Sequence, residues 1–164
     1  MRAHLCRICD WLCDAAGLLS AGYIALLAIL SIAEIFCRNV LSLSLPFATE
    51  YAGYLVILSL LTGLGWAMKE GAHIQVLLVR GRLPERLGKQ VDMATSILAL
   101  LVSTFFAIAL WRFGLVTLAR GTLSYFPSQT PLAIPQLLMA IGPTTLALAC
   151  AARIMRLHAG ETAP

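Results

Sequence analysis

The chain has 164 residues, 60% of them hydrophobic and only 12% charged, with a formal net charge of +4. A soluble domain carries about 25% charged residues, so this chain cannot cover a globular surface with polar groups. Its mean hydropathy of +0.86 places it among integral membrane proteins, and its grouped basic residues exclude a nucleic-acid-binding stripe.

Residues 1–10 are mixed and carry Arg2 and Arg7. The first apolar stretch runs over residues 11–36. It outlasts the ~7–15 residues of a signal-peptide core, and no small-x-small site closes it. A retained membrane helix is expected, with Trp11 at the interface. The stretch ends on Glu34-Ile35-Phe36-Cys37-Arg38-Asn39. Glu34 and Arg38 stand four apart, acid first, on one helical face. They form either a solvated helix end or a contact with a partner, because an unpartnered charge is costly near a membrane.

A turn containing Pro46 leads into a second stretch, residues 48–68. Glu50 in its first turn suits a helix N-terminus, and Tyr51 and Tyr54 suit the interface. The helix closes on a corner, Gly63-Leu64-Gly65-Trp66-Ala67-Met68-Lys69-Glu70-Gly71-Ala72-His73-Ile74, where apolar sequence meets the densest run of charge. Ser59, Gly63, Ala67 and Gly71 recur at spacing four. Such a face permits close helix packing, within the chain's own bundle or against another subunit. Thr62, Trp66, Lys69 and His73 make a second face, suited to the membrane surface or a partner.

The segment Ile74-Gln75-Val76-Leu77-Leu78-Val79 is too short to span and too apolar for a loop. It is expected to lie along the membrane as a short amphipathic cytoplasmic segment. Gly81 and Pro84 break it, and Pro84 can open the next helix. That helix continues into a third apolar stretch, residues 93–118, and is long enough to project or tilt. Arg112 lies inside it beside Trp111, where it either snorkels or marks function. Residues 119–131 form a polar, turn-rich loop. The fourth stretch, residues 132–152, contains Gly142-Pro143. Pro143 removes a hydrogen bond to the carbonyl of Met139 and should kink the helix, with Thr144 or Thr145 compensating.

The expected fold is all-α, a single membrane domain over residues 1–164 with four transmembrane helices. Four spans put both termini on one side. Arg2, Arg7, Lys69, Arg80, Arg82, Arg86, Lys89, Arg153 and Arg156, nine of the twelve basic residues, fall on that side, so it should be cytoplasmic. Residues 38–49 and 119–131 should lie outside.

His4, His73 and His158 sit outside the spans, so no membrane haem pair exists. Cys6, Cys9 and Cys13 have no second ligand pair, and their compartment is reducing. No nucleotide-binding or nucleophile motif occurs. The centres of the spans lack the ionisable groups a self-sufficient transporter needs. We therefore expect no catalytic, cofactor or metal residues, and no enzyme, but a membrane scaffold that works with a partner.

Glu34 with Arg38, Glu50 early in the second helix, then Gly65-Trp66-Ala67-Met68-Lys69-Glu70-Gly71-Ala72-His73-Ile74-Gln75-Val76 and Leu83-Pro84 resemble the small membrane subunit of tripartite ATP-independent periplasmic (TRAP) transporters. That family's His-Ile-x-Val is often followed by an acid, and Leu77 stands there. The resemblance implies a bacterial inner-membrane subunit that pairs with a large multi-helix membrane subunit, the bearer of the substrate and sodium sites. A periplasmic binding protein would deliver an organic acid. Arg38, Glu50 and Arg120 would face the binding protein. Trp66, Lys69 and His73 would meet lipid headgroups or the large subunit. Two other readings remain at this stage: a small exporter that dimerises around Glu34, and an anchor for a redox or sensory complex.

Overall fold

Four long helices follow from four apolar runs whose backbone polar groups can be satisfied in lipid only within each helix. The computed structural model describes residues 2–71 and 85–158, with side chains from 6 and from 87 in the two parts. Helix α1 is Arg2–Val40, α2 is Ala48–Lys69, α3 is Glu85–Arg120 and α4 is Ala133–His158. All four are long and apolar enough to cross a membrane. The amphipathic segment expected between α2 and α3, with His73, lies outside the described residues.

The observed helices exceed the apolar stretches that predicted them. α1 has 39 residues and α3 has 36, about 58 and 54 Å at 1.5 Å per residue. α2 and α4, with 22 and 26 residues, are about 33 and 39 Å. The extension of α1 to Arg2 has a local cause: no glycine or proline precedes Gly17, and Asp10 and Asp14 find cationic partners. α1 closes where Ser42 takes a left-handed conformation, φ 54°, and the Leu43 amide donates to the Cys37 carbonyl at 3.1 Å. α2 closes at Gly71, φ 69°. A glycine at this C-terminal position carries no Cβ penalty.

The helices do not form a closed square. α2 packs between α1 and α4, α1 also touches α4, and α3 packs on α4 with no other substantial helix contact. Small residues set these crossings. A Cβ built on Gly142 would lie 2.3 Å from the Leu61 carbonyl oxygen, and one on Gly65 would lie 2.8 Å from the Thr145 hydroxyl. α2 and α4 therefore meet with glycine on each side, as polar and apolar helices alike must when packing rather than hydrophobicity drives association in lipid. On α3, the described buried positions are Gly88, Ser96, Ser103, Ala107, Gly114 and Thr117, and Gly114 receives Leu137 of α4.

Pro143 lies inside α4, fully buried. The hydroxyls of Thr144 and Thr145 donate to the Ala140 and Gly142 carbonyls at 2.7 and 2.8 Å. They supply hydrogen bonds around the break, as expected, though to carbonyls other than that of Met139.

Candidate functional site

The polar chemistry sits at the two ends of the bundle. One end holds both termini, and the other holds the loops 41–47 and 121–132.

At the terminal end, α2 is matched to α1 by a ladder with steps of three. Lys69 Nζ donates to Asp14 Oδ1 at 2.5 Å. One turn on, a Cβ on Gly17 would stand 2.8 Å from Trp66 Cγ. After a further turn, a Cβ on Gly63 would stand 3.0 Å from the Ser20 hydroxyl, which itself donates to the Ser59 carbonyl at 2.7 Å. Asp14, Gly17 and Ser20 thus read Lys69, Trp66 and Gly63 in antiparallel order. The two faces of the sequence-level corner converge here. Ser59, Gly63, Trp66 and Lys69 all meet α1, while Leu61, Gly65 and Met68 turn toward α4 and the core. Ala67 is half-buried, Gly71 forms the helix stop, and the indole of Trp66 keeps 44% of its surface exposed.

A second ion pair joins α1 to α4: Arg156 donates to Asp10 Oδ2 at 2.6 Å. Asp10 and Asp14 lie one turn apart, so α1 is pinned to two helices at one level. A small cavity between these pairs is lined by Asp10, Cys13, Met68, Lys69, Arg153 and Arg156. Cys13 and Cys150 are buried in the adjoining apolar cluster, and the five cysteines are all free thiols. Among the described residues, no group of three or more His, Cys, Asp or Glu converges as a metal site would require.

At the loop end, Glu34 does two things. It pairs with Arg38 at 2.6 Å, as its spacing predicts. It also accepts from the Leu45 amide at 2.9 Å and the Ser44 hydroxyl at 3.3 Å, so it fixes the α1–α2 turn. A carboxylate that takes up backbone and hydroxyl donors in this way orders a loop that has little other support. Arg38 stays largely exposed.

Glu50 is deeply placed, only 4% exposed, beneath the loop between α3 and α4. Tyr54 donates to its Oε1 at 2.8 Å, and Ser128 donates to its Oε2. Tyr51 and Thr130 share a hydrogen bond of 3.1 Å beside it. The loop is folded as a small hairpin. Ser124 N donates to Thr130 O at 2.9 Å, and Leu132 N to Thr122 O at 3.2 Å. Glu50 is therefore the floor of this loop. Its position early in α2 was legible in the sequence, but its serine partner, 78 residues away, was not. Arg120 is exposed at the end of α3.

Four helices apolar and long enough to cross a membrane, ordered polar loops at one end and ion-paired helices at the other define an integral membrane protein. Over residues 27–160 the chain matches the family described as tripartite ATP-independent periplasmic transporters, DctQ component. It belongs to that family and is the small membrane subunit of a TRAP transporter, a class that works with a large membrane subunit and a binding protein. Searches of curated proteins and of solved structures returned no match to the chain.

Proposed function

We propose that this chain is the non-catalytic small permease subunit of a sodium-coupled, binding-protein-dependent transporter of organic acids, and that it scaffolds the large subunit. The observation that carries the reading is where the charges lie. Among the described residues, the buried polar side chains of the spans are, beyond Glu50 in the first turn of α2, mainly hydroxyls, among them Thr62, Ser96, Ser103 and Thr145, and these bond to carbonyls of their own helix. Among the described residues the carboxylates and cations gather toward the two ends of the bundle, with Arg112 of α3 the exception. Carrying an anion with its coupling ion across the midplane needs ionisable or unwound-helix ligands there, and these would come from the partner.

In this reading the terminal end is cytoplasmic and the loop end periplasmic, in the inner membrane. Arg38 and Arg120, held out by the Glu34 turn and the Glu50 hairpin, help receive the binding protein. The free edge of Trp66, with Lys69, Gly71 and His73, meets headgroups or the large subunit. An exporter dimerised around Glu34 fits less well, because that carboxylate is engaged by Arg38, Ser44 and Leu45 at the end of its helix.

The test is reconstitution. Liposomes holding the lone chain should take up no organic acid under a sodium gradient, whereas the chain with its large subunit and binding protein should do so. Uptake by the lone chain would sink the scaffold reading.

A further inference from the structure

The face of α3 turned away from α4 carries one feature the fold leaves unanswered, a cation in the membrane-spanning part of the helix. Arg112 lies nine residues, about two and a half turns, from the buried Ser103, so it stands directly opposite the α4 contact. It is exposed. Arg112 takes no part in the ion pairs that engage Arg38, Lys69 and Arg156. Its neighbours on that face, Leu101, Phe105, Ile108 and Val116, are exposed and apolar.

Snorkelling to the nearer headgroups is geometrically disfavoured. The end of α3 at Arg120 is eight residues on, about 12 Å along the axis. Side chains in a helix lean toward its N-terminus, and the N-terminus of α3 is at the far side of the membrane. That general lean runs from position 112 toward Ile108 and the middle of the apolar stretch. A guanidinium there requires a counter-charge with planar acceptors, and an intramembrane charge faces protein by default.

We infer that the outward face of α3 is the surface that seats the large membrane subunit, and that Arg112 is met there by a carboxylate on one of that subunit's helices. The inference rests on the scaffold reading and deepens it. It also accounts for the open shape of the bundle, in which α3 stands outside the α1–α2–α4 group. The large subunit, not a second copy, is the occupant: the class supplies such a partner, and a symmetric contact would bring two Arg112 cations together.

The experiment uses the full chain co-expressed with its large subunit. Arg112→Leu should lower recovery of the complex about tenfold or more, as when a buried pair loses one member. Arg112→Lys keeps the charge but not the two-pronged geometry and should hold recovery within about threefold. Each variant alone should remain monodisperse in detergent. The photoreactive p-benzoylphenylalanine in place of Ile108 should crosslink to the large subunit. Unchanged recovery of Arg112→Leu, or crosslinks from position 108 to lipid or to a second copy within a formed complex, would overturn the inference while leaving the scaffold reading intact. Failure of the unsubstituted chain to recover any large subunit would instead remove the scaffold reading, and this inference with it.

Discussion

Glu50 organises more of the loop end than any other side chain. Its two oxygens take hydroxyls from Tyr54 on its own helix and from Ser128 across the loop, so an amide in its place keeps one acceptor for the two hydroxyls and loses the charge. Glu50→Gln is expected to raise hydrogen exchange at the Ser124 and Leu132 amides on the order of tenfold, with the α2 amides unaffected. Unchanged exchange in the 121–132 hairpin would show that the loop stands without the carboxylate. At the other end, Lys69 and Asp14 are partly exposed, with 23% and 51% of their side-chain surface accessible. Their coupling in a double-mutant cycle on thermal unfolding should therefore stay within about 1 kcal/mol. The pair selects the register of α1 more than it supplies stability.

Among the elements, the α2–α4 crossing is the least forgiving. At Gly142 the obstacle is the backbone oxygen of Leu61, which cannot rotate away, so the helices must part. Gly142→Ala should cost about 1–3 kcal/mol, the usual range for overpacking. Gly22→Ala and Gly53→Ala, which meet nothing within 4 Å, should be neutral or gain about 0.5–1 kcal/mol from helix propensity. Thermal shifts of the purified chain in one detergent decide between these outcomes. The same contrast shows what sequence could and could not reveal. The four spans, the Glu34–Arg38 pair and the small positions Ser59 and Gly63 on one face of α2 follow from hydropathy and spacing alone, whereas Gly71, expected on the same face, stands past the helix end. Which helix receives that face does not follow, because Gly17 and Ser20 lie in a stretch that reads as uniformly apolar. Asp10 and Asp14 carried a usable signal: two acids one turn apart, level with Lys69 and Arg156 once the spans are aligned by depth. For Glu50 only the Tyr54 contact, four residues on in the same helix, had a spacing signal; Ser128 belongs to a loop whose folding depends on the contact.

For the whole molecule, orientation is the broadest expectation. In the proposed orientation the terminal end is cytoplasmic, as the distribution of basic residues along the sequence favours. A periplasm-dependent reporter enzyme fused after residue 158 should be inactive, and the same reporter inserted at Tyr125, which is fully exposed, should be active. The reverse pattern would invert the topology and move the proposed binding-protein face to the wrong compartment.

The unequal helix lengths also set a condition on the surrounding lipid. The flanking helices α1 and α3 present apolar stripes taller than those of α2 and α4 between them. Lipids against the flanks are pulled toward longer, straighter chains, and a thin bilayer must be stretched or the helices tilted to cover the same surface. The subunit should therefore be most stable in long-chain phosphatidylcholine and lose stability progressively as the acyl chains shorten. In a mixed bilayer it would gather the longer lipids around itself, carrying a thickened collar into any assembly it joins.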